Sequence, residues 1–260
     1  IGLAMRGLRP IAEIQYLDYL NYGLVPLMDD LSCLSYRTKG GQKAPLIVRT
    51  RGHRLEGIWH TGSPMSMILG SLRGMHICVP RNMTQAAGFY NLLLRGDEPA
   101  LVIECLNGYR LKEKIPSNPG NFTVPLGIPE VLKKGNDITL VTYGSCVRIA
   151  LLALKLLEKV GISVELIDLR TVRPIDYATV VNSVKKTNRC VVVEEAWPLA
   201  AISSEISYHL QRNAFDYLDA PVIRVNNMDI PLHYAPTLIE VTLPNIERTV
   251  KAVKEVLYKK

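Results

Sequence analysis

The chain has 260 residues, of which 48% are hydrophobic and 21% charged, and its 31 Lys and Arg against 24 Asp and Glu give a formal charge of +7. That balance excludes a disordered or fibrous chain, and the length allows one large domain or two ordinary ones. No apolar run approaches the ~20 residues a membrane-spanning helix needs.

Short β-rich runs at Ile11–Gln15, Leu46–Thr50, His76–Val79 and Leu101–Glu104 predict strands in the first half, with helices near Tyr22–Tyr36 and Thr84–Leu94. Residues Ile115–Asn121 are rich in Pro, Gly and Asn, which break both helices and strands, so a linker is expected there. Beyond it, Ile138–Gly144 predicts a strand. Ala150, Leu151, Leu154, Leu157 and Val160 then recur at three- and four-residue steps, one face of a helix that Gly161 stops. A strand follows at Val164–Leu169, a helix near Asp176–Thr187, a strand at Cys190–Glu195, a helix near Ala200–Arg212, a strand at Val222–Val225 and a helix near Asn245–Tyr258. Strands separated by helices of this length need crossover connections, which implies mostly parallel sheets with helices on both faces. The expected organisation is α/β, with one domain at residues 1–120 and a second at 121–260.

Several chemistries are absent from the sequence. It has no P-loop, no strand-linked GxGxxG, no HExxH or His/Cys cluster and no GxSxG. Cys33, Cys78, Cys105, Cys146 and Cys190 lie 27 to 45 residues apart, which reads as buried free thiols in a reducing compartment. The lysine pairs 133–134, 185–186 and 259–260 are scattered, and aromatic residues make up only 7%, so nucleic acid is not an expected partner.

Three segments remain as candidates. Arg49, Arg51 and His53 follow a strand, where cationic side chains face the crevice in which α/β proteins bind ligands. They suit either an anion there or the acids of a neighbouring subunit. His60, in Ile58–Pro64, precedes small and turn-forming residues that suit a loop at a site mouth, and its imidazole titrates near neutrality. A lone histidine is nonetheless more often structural. Glu13–Tyr19 mixes polar and aromatic residues at a strand end, where a ring could stack on a flat heterocycle or simply pack.

At these residues the sequence resembles a known family. Gly7–Gln15, Val79-Pro80-Arg81, Asp168–Asp176, Glu194–Pro198 and Asp219–Val225 are similar, in family order, to the β subunit of 2-oxo acid dehydrogenase E1 components, above all pyruvate dehydrogenase. Arg49–Pro64 and Asn107–Lys114 look more like bacterial E1 enzymes in which α and β parts are fused. The resemblance implies a transketolase-like pyrimidine-binding fold followed by a transketolase C-terminal domain. It implies thiamine diphosphate bound between chains, with Mg2+ and the diphosphate held by an α-type partner. By position, Tyr19 would stack on the aminopyrimidine, Gln15 would lie beside it, and His60 would serve as the catalytic histidine close to the thiazolium. A structural potassium ion would take backbone carbonyls of Leu46, Leu93, Leu94, Gly96 and Glu98.

The implied partners are an E1 α subunit, a second β copy in an α2β2 assembly and the E2 dihydrolipoyl acyltransferase. The implied compartment is the bacterial cytoplasm or the mitochondrial matrix, since no export signal is visible. The family's cofactor-activating glutamate would fall just upstream of Ile1, so residues 1–260 are expected to hold half a cofactor pocket and little activity alone. Two rival readings are a transketolase or deoxyxylulose-phosphate-synthase-type transferase, and a non-catalytic module for E1–E2 assembly.

Overall fold

The computed structural model describes residues 1–53 and 63–259. In the first half, a short helix α1 (Gly2–Met5) precedes strand β1 (Ile11–Tyr16), followed by helices α2 (Leu20–Val25) and α3 (Ser32–Arg37) and strand β2 (Ile47–Gly52). Then come α4 (Met65–Ser71), β3 (His76–Cys78), α5 (Met83–Leu93) and β4 (Ala100–Cys105). The expected single helix over Tyr22–Tyr36 is interrupted by a wide π turn at Pro26–Leu31. Pro26 has no N–H to give, and its ring crowds the carbonyl four residues back, so the α ladder cannot run through it.

The second half contributes β5 (Glu130–Lys133), β6 (Ile138–Thr142), α6 (Cys146–Lys159), β7 (Val164–Asp168), β8 (Thr171–Arg173) and α7 (Tyr177–Thr187). It closes with β9 (Cys190–Val193), α8 (Ile202–Ala214), β10 (Ile223–Val225), α9 (Pro236–Thr242) and α10 (Ile246–Val256). Helix starts follow their sequence signals. Asn82, Asp176 and Asn245 each cap a helix by accepting a backbone N–H three residues on. The Glu113 carboxylate accepts the free N–H groups of Met83 and Thr84, both at 3.0 Å, so an anion sits at the positive end of α5.

Two sheets result. The second has the order β10-β9-β6-β7-β5, parallel except for β5. The first has the order β1-β2-β4-β3-β8, parallel through β3. Its last member, β8, comes from the second half of the chain and pairs antiparallel with β3. Strands β4, β6 and β7 are buried at every residue, as parallel strands covered on both faces must be. The largest apolar cluster takes Ile77 and Leu101 from the first half and Val172, Val192 and Ile206 from the second, so the halves share a core.

A charged network reinforces that junction. Arg81, just past β3, reaches Asp168 at the end of β7 (2.7 Å) and Glu130 of β5 (2.6 Å). Arg170 pairs with the same Glu130, and the Gln85 amide donates to Asp168. Burial lowers the Arg81 pKa, but hydrogen bonds with Glu130 and Asp168 outweigh it and leave the value raised. Burial raises that of Asp168 despite the arginine.

Candidate active site

Strands β1 and β2 lie side by side with their carboxyl ends together, and a single turn built on Leu17 shapes the surface there. Leu17 is fully buried, and it packs so closely on Gly52 that a Cβ at that glycine would lie 2.8 Å from it. With Leu17 pinned inward, the residues around it turn outward. Tyr19 is 41% exposed, and its ring meets Tyr16 edge-on at 6.0 Å and Tyr22 at 6.5 Å. Arg51 lies 4.7 Å over the Tyr16 ring, and its Nε donates to the Gln15 carbonyl at 2.9 Å. Tyr16, Tyr19 and Arg51 are therefore neighbours at the carboxyl ends of β1 and β2, and Arg51 also bonds the Gln15 backbone. Tyr16 was not singled out in the sequence because strand alternation alone does not separate it from Tyr19. Tyr19 gives this end of the sheet an exposed aromatic ring, a group able to stack on a flat heterocycle.

Arg49 and His53, read above as candidate anion contacts, are placed otherwise. The Arg49 guanidinium bonds Glu13 at 2.8 Å and Glu104 at 2.6 Å, and the hydroxyls of Tyr90 and Tyr109 donate to the same Glu104 carboxylate. The hydrogen bond to Glu104 raises the Arg49 pKa above its ordinary value, so the residue is a fixed cation engaged by acids of its own chain. For Glu104, burial works upward, but the hydrogen bonds from Arg49, Tyr109 and Tyr90 prevail and hold its pKa down.

His53 is fully buried, and among the described residues neither ring nitrogen has a hydrogen-bond partner. Burial pushes its pKa down to about 3, so the imidazole is neutral at pH 7. It sits at φ 48°, packed over Gly144 and 5.3 Å from the Tyr143 ring. His60 lies outside the described residues.

The carbonyls expected around potassium have other neighbours. Leu46 accepts from the Ala100 N–H and Leu93 from that of Gly96, while the Gly96 carbonyl accepts from the Arg9 guanidinium. Arg9 and Lys43 both pair with Asp97. Among the described residues, no group of three His, Cys, Asp or Glu could hold a metal, and no helix is long and apolar enough to cross a membrane.

Comparison with known proteins identifies the fold and family. The transketolase pyrimidine-binding domain model matches residues 1–110, and the transketolase C-terminal domain model matches residues 127–248. The "split gene transketolase, inactive beta4 tetramer" superposes over 100% of this chain and 80% of its own, with TM-score 0.81 at 22% identity. The 2-oxoisovalerate dehydrogenase subunit beta of Bacillus subtilis is 33% identical over 98% of this chain and 78% of its own length. The chain belongs to the E1 β-subunit family of 2-oxo acid dehydrogenases.

Another member, the pyruvate dehydrogenase E1 component subunit beta of Rhizobium meliloti, is 33% identical over the whole chain, which spans 56% of that relative. The Dictyostelium discoideum E1 β, named as mitochondrial, is 32% identical over 98% of the chain and 73% of its own length. In this E1 β chain the pyrimidine-domain match takes in Gln15, Tyr19 and His60, and the Arg81 network links that region to the C-terminal domain.

Proposed function

We propose that the chain supplies the β-type wall of an E1 active site, in which a 2-oxo acid is decarboxylated and its acyl group passed to lipoyl-E2. The observation that carries this reading is the whole-length match to E1 β subunits, which takes in both halves of the chain. Thiamine diphosphate, when bound, supplies the nucleophilic carbon and the electron sink for the decarboxylation. The Tyr19 face stacks against the pyrimidine, and Gln15 offers its amide at the ring edge. Arg51 holds Tyr16, and through it Tyr19, in place from below the stack. His60 gives and takes a proton near the reacting carbon, a task suited to imidazole at neutral pH. By the resemblance to E1 β subunits, the diphosphate and Mg2+ belong to an α-type partner, with which the lack of a phosphate loop in these 260 residues agrees. The assembly is an α2β2 tetramer that docks E2, in the bacterial cytoplasm or the mitochondrial matrix.

The test is titration of thiamine diphosphate and Mg2+ into the chain paired with an E1 α subunit. Saturable binding that needs both chains is expected, and its absence overturns the reading. Reductive acylation of a lipoyl domain from pyruvate or from 2-oxoisovalerate by the complete E1 assembly then assigns the oxo acid. Turnover of sugar phosphates instead would move the protein to the transketolase class, and E2 capture without cofactor binding would make it a scaffold.

A further inference from the structure

The chain that leaves β4 is tied to α5 at both ends of that helix. At the start of α5, the Glu113 carboxylate accepts the N–H groups of Met83 and Thr84. Toward its end, the Asn91 amide donates to the carbonyls of Pro119 (2.7 Å) and Phe122 (2.8 Å), and the Arg95 guanidinium donates to that of Gly120. Upstream, the Tyr109 hydroxyl is held on Glu104. Between these ties, residues 111–116 form no turn or bend, and among the described residues no backbone N–H or carbonyl from Lys112 to Ser117 is hydrogen-bonded. The side chains of the run alternate. Leu111, Glu113 and Ile115 border a cavity of about 260 Å3 against Met83 and Ala87 of α5, with Phe122 beyond. Arg110, Lys112 and Lys114 stand between them, exposed, and enter no ion pair among the described residues. Glu113 is the one acid between Tyr109 and Phe122, and the positive end of α5 already takes up its charge.

We propose that the run 110–117 is a docking surface for an acidic segment of a partner protein. The segment pairs its backbone with Lys112–Ser117, sets carboxylates against Arg110, Lys112 and Lys114, and seats one apolar side chain in the cavity. The inference is independent of the cofactor reading given above. Cations alone would serve a nucleic acid or a polyphosphate equally well. Open amide and carbonyl groups, however, pair best with another backbone, and an apolar cavity beside them takes a side chain. The run is also held in place by its own chain before any partner arrives, so binding has little ordering left to do. Exposed cations then steer the encounter and select for acids, while the anchor in the cavity supplies contact area.

The test uses the 260-residue chain and a fluorescent peptide of four glutamates on each side of one phenylalanine, read by anisotropy. Saturable binding is expected, and Arg110→Gln/Lys112→Gln/Lys114→Gln should weaken it about tenfold. Ala87→Leu, which fills the cavity from an exposed position of α5, should weaken it about threefold. A peptide with serine in place of the phenylalanine should bind the wild type and Ala87→Leu alike. Lys39→Gln/Lys155→Gln/Lys159→Gln removes the same charge from other exposed positions and should bind as the wild type. Every substituted residue is exposed, so the variants are expected to fold. Deuterium exchange in the bound chain should slow across 112–118 and stay unchanged across 37–43. Absence of saturable binding, equal losses in the two triple variants, or binding without slowed exchange across 112–118 overturns the proposal. So does tighter binding of a thymidine oligonucleotide or of inorganic polyphosphate, which would make the run a general polyanion site.

Discussion

Arg81 Nη1 lies 2.7 Å from Asp168 Oδ2, and the two residues come from opposite halves of the chain. Asp168 has no exposed surface, so its charge depends on this arginine, on the Gln85 amide and on the Arg170 N–H. Arg81→Met would leave a buried carboxylate short of the one cation that pairs with it among the described residues. We expect a loss of about 3–5 kcal/mol in unfolding free energy, read by urea denaturation. The double variant Arg81→Met/Asp168→Asn should recover part of it. A single variant as stable as the wild type would show that the pair does not hold the halves together.

The buried imidazole of His53 gives a pH signature. Its folded pKa of about 3 lies below the ordinary 6.5, so between those values the unfolded chain binds a proton that the folded chain refuses. Stability from this group is therefore fully present above pH 6.5 and drains away as the pH falls toward 3, at up to ~1.4 kcal/mol per pH unit. Asn tolerates the left-handed backbone at this position and does not titrate, so His53→Asn should flatten the curve of unfolding free energy against pH in that window. Parallel curves for the two proteins would count against a neutral, enclosed His53.

Gly144 is a second sensitive point. At φ 58°, an added Cβ would fall 2.8 Å from His53 Nδ1 and 2.9 Å from Val79 Cγ1. Gly144→Ala should cost about 2–4 kcal/mol, combining backbone strain with the clash. Gly161, at φ 74° with nothing within 4 Å, provides the control. Its alanine variant meets the strain alone and should lose only ~1 kcal/mol. Equal urea midpoints for the two variants would argue that His53 is not packed against Gly144.

Stacking by Tyr19 is tested by affinity. Tyr19→Ala, in the chain paired with an E1 α subunit, should weaken thiamine diphosphate roughly three- to tenfold, the worth of one aromatic contact. Tyr19→Phe should bind as the wild type. Identical titration curves for all three would remove Tyr19 from the cofactor's surroundings.

Most of the architecture is legible in the sequence because the buried parallel strands are short, mostly apolar and β-branched runs. The run Ala100–Cys105 and the run Ile138–Thr142 can hardly be read another way. The two missed strands share a cause. Strands β5 and β8 are short and polar, and each is defined by the neighbour it pairs with, not by its own pattern. In the site, strand alternation and aromatic content locate the Gln15–Tyr19 segment. The fates of Arg49 and His53 depend on Glu104, 55 residues away, and on Gly144, 91 residues away, and no local pattern encodes such distances. The Ser63–Glu195 contact, across 132 residues, is invisible for the same reason.

The strand β8 is in effect lent by one half of the chain to the other. A recombinant piece ending in the proline-rich connector near residue 120 would lack it, and the rim of β3 would present bare amide and carbonyl groups to solvent. Such a rim is a template for sticky, edge-to-edge polymerisation. Attempts to produce the two halves as separate soluble modules should therefore carry the strand across the cut, or expect precipitate from the first.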